Sequence, residues 1–108
     1  MADMQSRRIA MPADHPSFAG HFPGQPLLPG VVLLAEAIEV LLQEAPEALG
    51  PQPRVTAVKF LAPVRPGAQL EVRWTGEARL RFEVWRHAQG DPPQGQLAAS
   101  GQVERGAA

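Results

Sequence analysis

His21-Phe22-Pro23-Gly24-Gln25-Pro26-Leu27-Leu28-Pro29-Gly30 runs without a break into Val31-Val32-Leu33-Leu34, and this junction decides how the chain is read. Three prolines and two glycines in ten residues exclude a helix interior and a regular strand, because proline lacks a backbone donor and fixes φ. Beyond the junction, apolar side chains recur at Val31, Leu34, Ile38, Leu41 and Leu42. That spacing marks one helical face and predicts a helix from Val31 to Glu44. Glu36, Glu39 and Gln43 fall on another face. Val32, Leu33 and Val40 lie outside the main stripe, so the helix is expected to be buried more deeply than a surface helix. A stiff loop thus carries an imidazole, His21, to a helix N-terminus, whose N–H groups favour negative charge developing nearby.

Outward from this junction the pattern is β. Arg8 to Met11 reads as a short strand entering a turn at Pro12–Pro16. Beyond the helix, Pro46 and the Glu47–Pro53 segment form a stop. Strands are expected from Arg54 to Phe60, from Gln69 to Thr75 with Leu70, Val72 and Trp74 on one face, and from Ala78 to His87 with Leu80, Phe82 and Val84 on one face. A last strand covers Leu97 to Val103, with fraying from Glu104. The expected architecture is α+β: a curved antiparallel sheet, read as a meander of four strands after the helix, wrapped around one long central helix. Trp74, Phe60 and Phe82 are expected in the core, Trp85 on the opposite sheet face, and His87 in solvent.

The 108 residues suit a single domain, 1–108, with one core. A formal charge of −1 supplies no basic field for nucleic acid. The absence of cysteine excludes disulfides, thiolate metal sites and Cys nucleophiles, and fits the cytoplasm. Met1 to Met11 has no apolar run of the kind a secretory signal needs, and the longest apolar run, Val31 to Ala35, is far too short to insert in a membrane. The 12 prolines punctuate the chain at element boundaries rather than forming PxxP repeats. Asp14, His15 and His21 lack further ligands at metal-binding spacing, so no metal site is expected.

His21-Phe22-Pro23-Gly24-x-Pro26-x-x-Pro29-Gly30-Val31 resembles the signature of the bacterial 3-hydroxyacyl-acyl-carrier-protein dehydratases, which have the hotdog fold. Lys59-Phe60-Leu61-Ala62-Pro63-Val64-Arg65-Pro66-Gly67 is similar to that family's second recognisable stretch, and the likeness extends from about Asp14 to Val103. The resemblance implies a homodimer or larger homo-oligomer, with sites at the subunit boundary and a lyase reaction. The partner it implies is acyl carrier protein, bearing the acyl chain on a phosphopantetheine arm. His21 would take the C2 proton, while backbone N–H groups near Gly30 and Val31 polarise the thioester carbonyl. Phe22 and Pro29 would flank the substrate. No cofactor is implied, because the thioester already acidifies C2.

The chain departs from that family at one place. The family's helix acid falls fourteen positions after the His, and that position here is Ala35. The nearest carboxylate, Glu36, is rotated by about 100° on a helix. Glu36 is therefore either the catalytic acid or a polar-face glutamate beside Glu39 and Gln43. His21 is read as the base, the other reading being a loop His packed among prolines. Two further functions remain open: a hotdog thioesterase that hydrolyses the thioester, and a subunit that binds acyl carriers without catalysis. Arg79, Arg81 and Arg86 either meet an acidic carrier or form a solvated strand face.

Overall fold

The computed structural model describes residues 4–11, 29–65, 67–76 and 79–105. Its elements are β1 (Gln5–Ala10), α1 (Gly30–Glu44), α2 (Pro46–Leu49), β2 (Arg54–Phe60), β3 (Gln69–Thr75), β4 (Arg79–His87) and β5 (Gln96–Glu104). The strands form one five-stranded sheet in the order β1-β3-β4-β5-β2, with every neighbouring pair antiparallel. The α+β expectation of an antiparallel sheet packed on one long helix holds.

The expected four-strand meander is corrected. Only β3, β4 and β5 follow one another as neighbours, whereas β2 sits at the far edge beside β5. The reason lies in residues 61–68, which join β2 to β3. This link is longer than the common hairpin loops, so nothing local forces the two strands together. It crosses from one side of the sheet to the other instead.

The phase of the helix also differs from the reading. Its buried residues are Leu33, Ala37, Val40 and Leu41. Of the stripe read from the sequence, Leu41 is fully buried, Leu34 and Ile38 are half-buried, while Val31 is 73% exposed and Leu42 is exposed. Both faces are apolar, so periodicity alone did not select between them. The sheet takes the face carrying the small Ala37, which lets the layers approach closely. The second apolar face points away from the protomer's own sheet.

The strand alternation is as read. Leu70, Val72 and Trp74 of β3 and Leu80, Phe82 and Val84 of β4 join the helix in the core, with Met11, Leu49, Val64 and Val103 around them. In β5 the register slips beside Val84 and Trp85, so Ala98 and Ala99 are both buried. Gly101 of β5 pairs with Phe82, and a Cβ there would lie 2.6 Å from the ring. The absence of a side chain at 101 is what lets the Phe82 ring lie across the strand. In β2, Ala57 adopts φ 54° at a bulge between Thr56 and Lys59. That bulge kinks an edge strand that has no other partner among the described residues.

Four smaller expectations change. The first strand runs from Gln5 to Ala10, because it pairs along β3 from Gln69 to Trp74. Glu104 stays in β5, held by Arg79 at 3.2 Å. Phe60, expected in the core, is 51% exposed. His87, expected in solvent, is half-buried against Glu71, with Nε2 and Oε1 2.9 Å apart. Alternation assigns a face, but not how far the next layer extends over it.

Candidate active site

The helix begins at a proline. Pro29 (φ −59°, ψ 144°) is the N-cap, and its carbonyl accepts the Val32 and Leu33 N–H groups at 3.0 and 3.1 Å. The first N–H groups of a helix have no intrahelical acceptor. Among the described residues, the Gly30 and Val31 N–H groups likewise have no acceptor. They present the positive end of the helix dipole.

Beside this terminus lies an open cleft of about 320 Å³. Gly30 and Leu33 form its helix side, and the run Phe60 to Val64 forms the other. The Phe60–Val64 wall is pinned at several points. The Leu61 and Ala62 N–H groups both donate to the Ala98 carbonyl, at 2.8 and 3.2 Å. The Arg86 guanidinium donates from Nη1 to the Pro63 carbonyl at 2.7 Å. Further along, Met11 and the 67–68 backbone exchange bonds of 2.9 and 3.0 Å. An apolar slot thus lies beside the helix terminus, with Gly30 on its wall. Such a site can hold an acyl chain and stabilise an oxyanion at its head.

On the other side of the 61–68 link lies a larger polar cleft of about 630 Å³, lined in part by Arg65, Arg86, His87 and Asp91. Most of its charges are spent inside the chain. Arg86 grips Asp91 through two bonds, of 3.0 and 2.8 Å, and this pairing holds the Asp91 carboxyl below its usual range and the Arg86 guanidinium above its own. Glu71 is lowered to about 2, chiefly by its bond from Arg73 at 2.9 Å, with the His87 ring as a second partner. Arg73 in turn lies 4.4 Å over the Trp85 ring. Arg86 is therefore a clasp between the β4–β5 turn and the wall of the apolar cleft.

Of the residues singled out from the sequence, Pro29, Gly30 and Val31 come together at the helix terminus, while Val31 turns its side chain outward. Glu36 is half-buried on the flank of the helix, and Ala35 is exposed on the outward side. Glu36 is thus less solvated than Glu39 and Gln43, which are exposed and bonded to each other at 3.1 Å. His21 and Phe22 lie outside the described residues. The sequence reading passed over Phe60 to Val64 as site residues. The available signal was an apolar run continuing past the end of a strand into a proline-punctuated link. No three of His, Cys, Asp and Glu cluster among the described residues. No helix among them is long and apolar enough to cross a membrane.

Residues 2–102 match the family model of the ApeI-like dehydratases, described as ApeI dehydratase. The chain belongs to this family. Among curated proteins it is 32% identical over 99 residues to the 3-hydroxyacyl-acyl-carrier-protein dehydratase FabZ of Dechloromonas aromatica, a match spanning 83% of this chain and 68% of the relative. It is 38% identical over 66 residues to the FabZ of Haemophilus influenzae, spanning 55% of this chain and 45% of that one. The chain therefore takes in about two thirds of the first relative and about half of the second. Among solved structures, the dehydratase heterocomplex ApeI:P from Xenorhabdus doucetiae superposes with a TM-score of 0.73 at 23% identity, covering 94% of this chain and 85% of that one. This likeness places the sheet and helix in the hotdog fold.

Proposed function

We propose that this chain is a lyase that removes water from a (3R)-hydroxyacyl thioester carried on acyl carrier protein, giving the trans-2-enoyl thioester for fatty-acid or specialised acyl-chain synthesis. The carrying observation is the dehydratase family match across residues 2–102. The apolar cleft beside the helix N-terminus, with Gly30 on its wall, supports it. The His21 imidazole takes the proton from C2, and the electron pair moves onto the thioester oxygen, where the two N–H groups stabilise it. As the carbonyl re-forms, the C3–O bond breaks and the hydroxyl leaves as water with a proton from the Glu36 carboxylic acid. Proton exchange with solvent then resets the imidazolium and the carboxylate.

The functional unit is a single domain, 1–108, assembled as a homodimer or larger homo-oligomer in the cytoplasm. Two features support assembly: the outward helix face bearing Val31, Ala35 and Leu42, and the edge of β2 with no strand partner among the described residues. A second reading draws on Ala35, exposed at the family's acid position. The structural neighbour is a dehydratase heterocomplex, and a different subunit placed over this face would supply the acid here.

The test is incubation of the purified protein with a 3-hydroxyacyl carrier thioester. An enoyl product supports the proposal, and free thiol with no enoyl product refutes it in favour of hydrolysis. Activity that appears only with an added partner subunit supports the heteromeric reading.

A further inference from the structure

Phe60 ends β2 on the inward side of the sheet, paired with the buried Ala99, yet its side chain is half-exposed. Its ring reaches past the sheet to the first residue of the helix. A Cβ built on Gly30 would meet Cε1, Cζ and Cε2 of the ring at 3.1 to 3.2 Å. The outer edge of the ring is therefore seated against the helix terminus, and a side chain at position 30 would have to displace it by a few tenths of an ångström. This is not a demand of backbone conformation, because Gly30 is helical and has no positive φ. It is a demand of space.

The backbone that follows Phe60 is fixed by the two N–H bonds to the Ala98 carbonyl and by the Arg86 bond to the Pro63 carbonyl. The adjustable part of the wall is thus the ring itself, free to turn about two side-chain bonds and touching solvent on one side. It lies beside Gly30 and lines the cleft.

The geometry points to Phe60 as a specificity-determining residue: its ring, seated on Gly30, sets how bulky an acyl chain fits beside the helix terminus. The inference rests on the dehydratase reading. The ring edge favours straight, unbranched acyl groups and turns away chains branched near C4. Two substitutions move the wall in opposite directions. Phe60→Ala removes the ring and widens the cleft. Gly30→Ala keeps the backbone N–H but displaces the ring by a few tenths of an ångström from its seat, and on this inference the ring moves toward the cleft.

The experiment compares straight-chain and C4-branched 3-hydroxyacyl thioesters by kcat/KM. In parallel it measures binding of the matching non-reactive amide analogues on pantetheine. Phe60→Ala is expected to shift the branched-to-straight ratio upward by about tenfold, the scale of a change in one hydrophobic contact. Gly30→Ala is expected to lower that ratio, and the double variant to behave as Phe60→Ala alone. Phe60→Leu serves where the alanine variant does not fold, with a smaller shift of the same sign. Equal changes for both chain types, or a Gly30→Ala ratio identical to wild type, overturn the inference. A wild-type protein that binds the analogues with the expected pattern but forms no enoyl product would overturn the dehydratase reading and leave the role of Phe60 standing.

Discussion

Gly101→Ala puts a single methyl group where the core has no room for it. The built Cβ lies 2.6 Å from Cζ and 2.8 Å from Cε1 of Phe82, and 3.4 Å from a Val58 methyl. Carbon atoms in contact prefer about 3.5 to 4.0 Å, so the ring must retreat by about 1 Å. Phe82 is 2% exposed and part of the core, which makes that retreat a repacking of the sheet–helix layer. Overpacking of this kind costs about 1 to 3 kcal/mol. Gly101 has no positive φ, so alanine also gains about 0.4 to 1 kcal/mol by restricting the unfolded chain. The expected net loss is about 1 to 2 kcal/mol. Urea unfolding followed by far-UV circular dichroism, at one protomer concentration for all variants, measures it. Phe82→Leu removes the ring edge, so Gly101→Ala made in that background should be nearly neutral, with a coupling of about 1 kcal/mol or more. Strictly additive losses, or a more stable Gly101→Ala protein, would refute the assignment of Gly101 as the seat of the ring.

Glu36→Gln should lower kcat by about 100-fold or more with little change in KM if the carboxyl protonates the leaving hydroxyl; a kcat within twofold of wild type would show that another group does so. Ala35→Glu should then give no rise in dehydration by steady-state assay, since the working carboxyl is already one residue away. Glu71 holds its carboxylate at about 2, below its ordinary 4.5, so its contribution to stability is complete above about 4.5 and fades as pH falls through about 2. Thermal melts should show a steeper loss over that window in wild type than in Glu71→Gln. Arg86→Ala releases both the β4–β5 turn and the Pro63 carbonyl, so amide hydrogen exchange should rise together in residues 88–95 and 61–65. Protection unchanged in the second segment would contradict the clasp.

The sequence carried the elements well because their signals are local. β3 was read to the residue, Gln69 to Thr75, since its apolar and polar side chains alternate strictly. The helix was placed within one residue of Gly30–Glu44, since Pro29-Gly30 and Pro46 bracket a continuous apolar repeat. What failed was non-local. Leu33 and Val40 face the sheet while Val31 and Leu42 do not, a choice that depends on which face the sheet covers. The position of β2 beside β5 depends on a crossing link that leaves no periodic trace. Phe60 looked like core by type and by face, but its register sets it where the sheet ends and the helix begins. His87 looked exposed beside a polar turn, yet Glu71 opposite it on β3 supplies a partner that no spacing along the chain reveals.

The candidate site was legible in the same divided way. The Gly30 and Val31 N–H groups follow from helix physics once the helix is placed behind Pro29. The wall opposite them, Phe60 to Val64, arises only because the 61–68 link folds back along the helix terminus.

The most direct measurement is the product formed from a (3R)-hydroxyacyl thioester on acyl carrier protein by the wild-type chain and by His21→Ala, read by mass of the carrier-bound acyl group. The account predicts loss of one water from the substrate with wild type, a trans-2 double bond in the product, and no such loss with His21→Ala. An unchanged substrate with wild type in the presence of every subunit it assembles with, or full turnover by His21→Ala, would contradict it.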